Sequence, residues 1–269
     1  MRLKVRHVTH YSYEGPPAYL VQRLHLEPAE FASQKLVNWT ITAPGIEGAL
    51  RYIDAFGNKI HLVTSAPGAE RIDIVSEGEV ETEDTAGMVL GLPSQVPQGI
   101  FLRQTAVTQP SPAMLAFVRQ FDGATPALAL GHDLMNAVHG RVAYETGASH
   151  AHTRADEAFA EGRGVCQDHA HIVVSLARHL GVPARYVTGY LVTGTGASAS
   201  AAHAWAELAI PDLGWVGFDA ANGQCPTDHY VRLAAGLDAG AVSPVRGSRR
   251  GGTSSEQMTV EVNVEISQQ

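Results

Sequence analysis

The chain has 269 residues, of which 45% are hydrophobic and 17% charged, and its formal net charge is −8. This length and composition suit one large or two modest globular domains with an ample core. The negative charge argues against nucleic acid as a main partner, and two cysteines argue against a disulfide framework and fit a reducing cytosol. The N-terminal residues lack the apolar segment of a signal peptide, and no apolar run is long enough to span a membrane, so we expect a cytoplasmic protein without a membrane partner.

The first third of the chain reads as short strands separated by turn residues. Leu3 and Val5 alternate with basic residues, and Ile72 and Ile74 alternate with charged ones, as in half-buried strands. Asp54–Asn58 reads as a hairpin turn between two strands. Six strands are predicted, over residues 3–13, 18–26, 35–42, 51–53, 59–64 and 71–81. We therefore predict a small N-terminal β sandwich over residues 1–83.

Residues 84–110 show a weaker pattern and predict a surface linker with at most one helical turn. Helix starts follow at Ser111-Pro112 and Thr125-Pro126, where proline can occupy the first helical position. A third start lies near Thr153. The helical segments precede a strand-rich region, so the whole chain predicts an α+β fold with a core over residues 111–269.

The most informative helix begins at Cys166. Apolar residues from Val165 to Leu180 recur at helical spacing, Gly164 allows a sharp entry, and Gly181 and Pro183 mark the end. Cys166 therefore lies in the first turn, where the free N–H groups and the positive end of the dipole favour a thiolate. A lone cysteine in a helix is more often a small buried hydrophobe, so this position alone does not establish chemistry.

Two later segments add partners for a cysteine nucleophile. His203, Trp205 and Glu207 alternate along one predicted strand, and Trp215 and Asp219 share a face of the next. A nucleophilic cysteine needs a base, and the base needs an acceptor that fixes its tautomer. His203 and Asp219 share a face only if Ala209, and not Ile210, pairs with Trp215. We therefore predict either a five-residue loop, which pairs Ala209 with Trp215, or a bulge that restores the same phase.

The remaining strands are predicted at 185–192, 203–210, 215–219 and 230–234, with a loop of small residues at 194–202. Residues 236–256 are rich in Gly and Ser and contain Arg246, Arg249 and Arg250, which predicts a mobile, solvated loop. Residues from Met258 to Ile266 alternate cleanly between apolar and polar. We expect this C-terminal strand to join the core sheet.

Four motifs together resemble the transglutaminase-like superfamily. They read Gly164-Val-Cys-Gln-Asp-His-Ala-His171, Gly181-Val-Pro-Ala-Arg-Tyr-Val-Thr-Gly-Tyr-Leu191, His203-Ala-Trp-Ala-Glu207 and Gly214-Trp-Val-Gly-Phe-Asp219. More narrowly, the chain is similar to the bacterial and archaeal branch with an extra N-terminal β domain, a similarity that Asp54–Asn58 extends into the first domain. After the aspartate the family often has Pro-Thr-Asn, whereas this chain has Ala220-Ala221-Asn222.

The resemblance implies a papain-like core over about residues 110–235, with helices followed by an antiparallel sheet. It also implies roles for three residues: Cys166 as nucleophile, His203 as base and Asp219 as the group that orients the base. The implied activity is a cysteine-dependent amide hydrolase or acyltransferase that works through a thioester. Hydrolysis of a peptide or isopeptide bond is favoured over protein crosslinking, and the substrate is then a protein or peptide.

Further residues could support this chemistry or could be ordinary core. The backbone N–H of Cys166 is the first candidate donor to an oxyanion, and Tyr144 and the Trp205 indole are candidates for a second. Asp168 could cap the helix or steer a cationic substrate. His171 and Glu207 could brace the site. Trp205 and Trp215 could wall the cleft or pack in the core.

Two alternatives are weighed against this reading. His150, His152, His169 and His171 suggest a metal hydrolase, but His169 and His171 are two apart on a helix and point in different directions, whereas zinc on one helix face favours an i, i+4 pair. No acidic loop resembles a calcium site, so we predict neither a metal nor a cofactor. The other alternative is a binding module that keeps the fold without the chemistry. The N-terminal β domain could recognise substrate, form a homo-oligomer or shield the core.

Overall fold

The structure, a computed structural model, describes residues 1–15, 17–65, 68, 70–92, 96–121, 125–192, 200–252 and 255–267, and leaves the side chains of 200 and 201 undescribed. Within these ranges, none of the helices is both long and apolar enough to cross a membrane. The helices are α1 (Pro112–Val118), α2 (Ala127–Arg141), α3 (Ala155–Glu161) and α4 (Cys166–His179). The strands are β1 (Arg2–Tyr13), β2 (Tyr19–Glu27), β3 (Gln34–Thr42), β4 (Leu50–Ile53), β5 (Lys59–Ser65), β6 (Arg71–Thr82), β7 (Met88–Val89), β8 (Ala143–Tyr144), β9 (Arg163–Gly164), β10 (Ala184–Val192), β11 (Ser200–Ile210), β12 (Gly214–Phe218), β13 (Tyr230–Gly236), β14 (Val245–Arg250) and β15 (Glu256–Ile266). The mixture of helices and antiparallel sheets confirms the α+β class.

The six strands predicted in the first third of the chain all form, and they belong to a sandwich of two four-stranded sheets. One sheet has the order β15-β1-β6-β3 and the other β14-β2-β5-β4. Apolar side chains of both sheets share one core cluster, including Tyr11 and Ile72 from the first sheet and Leu24 and Val63 from the second. The alternation that predicted half-buried strands therefore reflects the inner face of this sandwich.

The expectation for the C-terminal strand is wrong. β15 does not join the core sheet but pairs with β1, from Leu3 opposite Ile266 to Tyr13 opposite Glu256. Alternation along a strand shows that one face is covered, but it does not show which sheet edge the strand joins. The Gly- and Ser-rich stretch before it also differs from the prediction, because β14 forms there and pairs with β2. Both sheets of the sandwich thus end in a strand from the C-terminal part of the chain.

The core contains a five-stranded antiparallel sheet with the order β13-β10-β11-β12-β7. Helices cover one face, where Ile172 and Leu176 of α4 pack with Ala206 and Leu208 of β11. The segment predicted as a surface linker takes part in this core, since β7 pairs with β12. Its single helical turn, a 3-10 helix at Gln98–Leu102, buries Phe101 completely. Most of the predicted loop at 194–202 lies outside the described residues.

Side-chain amides from the sandwich dock on the outer edge of β13. Gln34 accepts a hydrogen bond from the Arg232 N–H (2.7 Å) and donates one to the Arg232 carbonyl (2.8 Å). Asn58 does the same with Ala235, at 2.8 Å for each bond, and Asp54 accepts a bond from the Asn58 amide (2.9 Å). The two amides satisfy backbone groups that an open sheet edge would leave unpaired. The Asp54–Asn58 turn therefore joins the two halves of the molecule.

Candidate active site

Cys166 is the first residue of α4, and the turn before it is tightly fixed. Asp168 accepts hydrogen bonds from the Val165 N–H (2.8 Å) and from the Ser149 hydroxyl. A Cβ at Gly164 would lie 2.7 Å from the Asp168 carboxylate, so only glycine fits there. Asp168 is fully buried, so of its two proposed roles the structure shows the helix cap. This cap sets the position of the Cys166 N–H, one of the donors that a helix start leaves without an intrahelical partner.

The hairpin of β11 and β12 has the predicted register. Ala209 lies opposite Trp215 and Ala206 opposite Phe218, which places Trp205 level with Asp219. The turn is closed by left-handed backbone at Asp212 (φ 65°) and Gly214 (φ 80°), a conformation that glycine adopts without strain. Because side chains alternate along a strand, His203 and Asp219 lie on the same side.

His203 and Asp219 form a buried hydrogen-bonded pair. Nε2 of His203 lies 2.7 Å from Oδ2 of Asp219, and the Cys166 side chain lies near enough to the imidazole to affect its pKa. Burial lowers the pKa of His203, but hydrogen bonds and negative charge from Asp219 and Cys166 outweigh burial and raise it to about 9. The structure thus brings together the three side chains predicted as nucleophile, base and orienting group.

Asp219 accepts more hydrogen bonds than the one from His203. Its Oδ2 also accepts from the Tyr230 hydroxyl (2.7 Å) and from the Asn222 amide (2.7 Å). Its Oδ1 accepts from the backbone N–H groups of Ala221 (3.0 Å) and Asn222 (3.3 Å). Burial raises the pKa of this carboxyl, but the hydrogen bond and charge of His203, with the Asn222 and Tyr230 bonds, lower it below its usual value. Asp219 therefore stays ionised.

Tyr230 and Asn222 are site residues that the sequence analysis did not assign. Asn222 was visible as the last residue of Ala220-Ala221-Asn222, and the structure shows that the two alanines leave its bonds to Asp219 in place. The sequence indicates nothing about Tyr230 except that a predicted strand begins there. Its hydroxyl accepts a bond from the Gln224 amide (2.9 Å) while donating to Asp219, so it connects β13 to the loop after β12.

Trp205 packs behind His203 rather than along the cleft. The two rings lie 6.2 Å apart at an interplanar angle of 28°, and Tyr230 meets the indole edge-on at 5.5 Å. A Cβ at Gly189 would lie 2.7 Å from this indole, so the neighbouring strand makes room for it. Trp205 thus restricts the movement of the imidazole, and it is not among the described residues that line the cleft at Cys166.

Glu207 belongs to a second buried network on the same strand. It pairs with Arg185 of β10 and with Nε of Arg232 on β13 (2.8 Å). The Arg185 guanidinium lies 4.0 Å from the Trp215 ring centroid, and Phe101 packs against the other side of that indole region. Trp215 is buried against Arg185 in the core, and it is not among the described residues that line the cleft. The suggestion that it forms a cleft wall is therefore wrong.

Two of the candidate histidines, His169 and His171, are engaged with backbone groups. Both ring nitrogens of His169 lie 2.9 Å from backbone carbonyls, those of Val165 and Val142. His171 accepts from the Ala239 N–H at 3.1 Å, and burial lowers its pKa to about 4. His171 therefore braces the segment after β13 as a neutral ring. Tyr144 is half exposed, and burial and then the negative charges of Cys166 and Asp219 raise its pKa.

The thiol and the imidazole open into a cleft of about 560 Å³. One wall comes from the segment around Cys166, the floor from β10 and β11, and the other wall from residues after β13. The lining residues that the structure describes are Ala151, His152, Val165, Cys166, Gln167, Tyr186, Thr188, Ala202, His203, Ala204, Ala239, Gly240, Val242, Ser243, Pro244 and Arg246. A pocket of this size is typical of ligand sites, and the reactive atoms lie within it.

Comparisons with known proteins agree with this architecture. Residues 116–220 match the model of the transglutaminase-like superfamily, and residues 3–81 match that of the bacterial transglutaminase-like N-terminal region. An uncharacterized protein of Mycobacterium leprae is 28% identical over 94% of this chain and 95% of its own length. An uncharacterized protein of Mycobacterium tuberculosis strain H37Rv is 26% identical over 98% of this chain and 92% of its own length.

A solved structure shares the fold across the whole chain. The "Putative Cysteine Protease from Cytophaga hutchinsonii" superposes with a TM-score of 0.76 at 22% identity, covering 100% of this chain and 92% of that one. At this identity the similarity concerns the fold alone. The two family matches together account for about two thirds of the chain, and they coincide with the sandwich and with the core that carries Cys166. The chain therefore contains a core of the transglutaminase-like superfamily, preceded by the bacterial transglutaminase-like N-terminal region.

Proposed function

We propose that this protein is a cysteine-dependent hydrolase or acyltransferase that acts on an amide bond of a peptide or protein through a thioester. The observation that carries the proposal is the buried hydrogen bond between His203 and Asp219 beside Cys166, with the thiol and the imidazole lining the same open cleft. An imidazolium with a pKa near 9 stays charged at neutral pH, and a positive charge beside a thiol favours the thiolate. The site then holds a nucleophile and an acid in one ion pair.

The proposed reaction has two halves. In the first, the Cys166 sulfur attacks the amide carbon, and the carbonyl π electrons move to oxygen, where the Cys166 N–H can donate a hydrogen bond. His203 gives its proton to the amide nitrogen, the C–N bond breaks, the amine leaves, and a thioester remains. Asp219 keeps the imidazole oriented throughout.

In the second half, water or an amine attacks the thioester and gives a proton to His203. The C–S bond then breaks, which regenerates the thiolate and the imidazolium. Water yields an acid, whereas an amine yields a new amide. Family resemblance favours water as the acceptor, so we propose hydrolysis of a peptide or isopeptide bond as the main reaction.

The test is the rate of iodoacetamide alkylation of Cys166 against pH, read by mass spectrometry. Burial, followed by the charge of Asp84, raises the pKa of Cys225, so this second cysteine is an internal reference for a thiol outside the site. We expect Cys166 to react well below the pH near 8.5 at which a free thiol ionises. The His203→Ala variant should lose this reactivity, and His10→Ala, which changes an exposed histidine, should keep it.

The opposite result would indicate a binding module. A Cys166 that alkylates like an ordinary thiol, with no change in His203→Ala, would contradict the ion pair. The fold would then have been kept without its chemistry, and a protein or peptide ligand for the cleft would replace a substrate as the object of study.

A further inference from the structure

The cleft has an electrostatic asymmetry that the proposed reaction does not use. Among its described lining residues, Arg246 carries the permanent charge, and the others are neutral side chains apart from the reactive pair and His152. Arg246 is exposed and belongs to β14, the strand that the C-terminal segment adds to the sandwich. A positive group thus faces the site in a protein whose net charge is −8.

Arg246 has no acidic partner within the part of the chain that the structure describes. Its contact is a hydrogen bond from Nη1 to the Gly240 carbonyl (3.1 Å), which belongs to the cleft wall. The acid closest in sequence, Asp238, accepts a bond from the Ala241 N–H (2.9 Å) and does not line the cleft. The remaining donors of the guanidinium are therefore available to a ligand in the cleft.

A second arginine lies directly across from the first. Arg23 of β2 is the register partner of Arg246, and like charges opposite each other on neighbouring strands are destabilising. Nη2 of Arg23 donates to the Ala241 carbonyl (3.0 Å), and its buried Nε has no hydrogen-bond partner. Arg23 also has no ion pair among the described residues. Two arginines at paired positions of neighbouring strands thus lack an acidic partner among the described residues.

The wall that holds these groups is fixed to the sandwich. His25 contacts the Ser243 carbonyl through Nδ1 (3.0 Å), and its backbone N–H donates to the Pro244 carbonyl (2.8 Å). The cleft wall is therefore a rigid extension of β2 and β14 rather than a free loop. This contact gives the sandwich a direct part in forming the substrate cleft.

We propose that Arg246, supported by Arg23, binds a carboxylate of the substrate. The proposal rests on the proposed function and adds to it a substrate class: a peptide or isopeptide with an acidic side chain or a free terminal carboxylate close to the amide that Cys166 attacks. A guanidinium binds a carboxylate through two parallel hydrogen bonds, which gives direction as well as attraction. Arg246 is then a specificity-determining residue, and the reaction at Cys166 does not require it chemically.

The test uses thiol reagents that differ only in charge. N-iodoacetyl derivatives of glycine, β-alanine and γ-aminobutyric acid place a carboxylate at increasing distance from the reactive carbon, and their carboxamides are neutral partners of the same size. Alkylation rates of Cys166 are measured at pH 7 and pH 10, with Cys225 as reference. At pH 10 ordinary thiols are ionised and His203 is largely neutral. The ratio of the alkylation rates by acid and amide at this pH therefore measures the attraction of the carboxylate to Arg246.

For at least one reagent length, we expect the ratio of the alkylation rate by the acid to that by its amide to be about fivefold larger at Cys166 than at Cys225. An effect of this size is expected for a partly exposed ion pair. Arg246→Gln should abolish the preference, Arg246→Lys should retain part of it, and Arg23→Gln should weaken it. Arg250→Gln removes an exposed arginine from the same strand and should change nothing.

A preference that is absent at every length, or that survives in Arg246→Gln, would overturn the carboxylate site. Failure of the proposed function would look different. Cys166 would then react like an ordinary thiol at pH 7 with every reagent, while the ratio at pH 10 would still decide whether Arg246 selects the acid.

Discussion

Strand β11 carries two buried charge networks four residues apart, and only the first reaches the described lining of the cleft at Cys166. His203 pairs with Asp219, and Glu207 pairs with Arg185 and Arg232. Both carboxylates are fully buried, and burial raises the pKa of each, but positively charged partners lower both below their usual values. The networks are therefore alike in their carboxylates and differ in what those carboxylates bind.

The difference lies in the partner. Glu207 is held by two guanidinium groups, which keep their charge at any ordinary pH, and neither arginine lines the cleft at Cys166. Asp219 is held by an imidazole, which can release a proton and whose ring reaches that cleft. A buried ion pair becomes a candidate catalyst when one member titrates in the working range and touches solvent-accessible space. The Glu207 network serves instead to join β10, β11 and β13.

The largest expected effect is on activity, and it distinguishes the His203–Asp219 network from the Glu207 network. His203→Ala should lower acylation of Cys166 by p-nitrophenyl acetate by roughly 10³-fold, because the imidazole that keeps the thiol ionised is lost. The free energy of unfolding should fall by no more than about 3 kcal/mol, because Asp219 keeps four other hydrogen bonds. Rates come from intact-mass measurement of the acyl-enzyme, with His10→Ala as control. Equal rates in the two variants would contradict the role of His203.

The next effect separates them by stability. Glu207→Ala leaves two buried guanidinium groups without a counter-charge and should lower the free energy of unfolding by about 3–5 kcal/mol. Urea denaturation measures this, and Glu261→Ala on β15 is the control for an exposed glutamate. Replacing Arg185 and Arg232 with Met and Glu207 with Leu should recover most of the loss, since apolar side chains need no counter-charge. A loss below about 1 kcal/mol in Glu207→Ala would show that the network is not a structural anchor.

The third effect depends on pH. The pKa of His203 in the folded protein is about 9, above the ordinary value of 6.5. Its stabilising contribution is complete below pH 6.5 and is lost as pH rises through 9, by about 3 kcal/mol. Asp219→Asn should flatten this loss and move the alkaline limit of activity to lower pH, because Asp219 raises the His203 pKa. Urea titrations at pH 6.5 and 9.5 check the sign, and an unchanged slope in Asp219→Asn would contradict it.

The smallest effect concerns a group that only steadies the carboxylate. Tyr230→Phe removes one donor from Asp219 and one acceptor from Gln224, and should cost about 1 kcal/mol of unfolding free energy. Acylation should fall by no more than about fivefold. Tyr19→Phe is the control, since Tyr19 is half exposed. A loss of activity as large as that of His203→Ala would assign Tyr230 a direct chemical role.

Local patterns were enough to predict much of this molecule. Gly164 and Pro183 delimit the Cys166 helix, and the need for His203 and Asp219 to share a face predicts the pairing of Ala209 with Trp215. Periodicity also located the six strands of the sandwich. These features depend on residues close together in the chain, where spacing and turn chemistry determine the geometry.

Long-range pairings could not be predicted from the same patterns. β14 has no apolar alternation, and nothing in Met258–Ile266 distinguishes an edge beside β1 from an edge of the core sheet. The bonds of Gln34 and Asn58 to β13 replace a missing strand with side-chain amides, which no periodicity encodes. Tyr230 reaches Asp219 across the sheet order β13-β10-β11-β12, so its role depends on a topology that the strand pattern alone leaves open.

The late strands β14 and β15 have a consequence for how the protein is made. The first six strands leave the ribosome early. Each of the two sheets, however, also contains an edge strand that is synthesised only after the segment carrying Cys166, His203 and Asp219. Domains usually fold one after another from the N-terminus, whereas here the first region can be completed only by the last strands. The wall that carries Arg246 is therefore among the final parts to assemble, and a nascent chain that already contains Cys166, His203 and Asp219 still lacks a finished cleft.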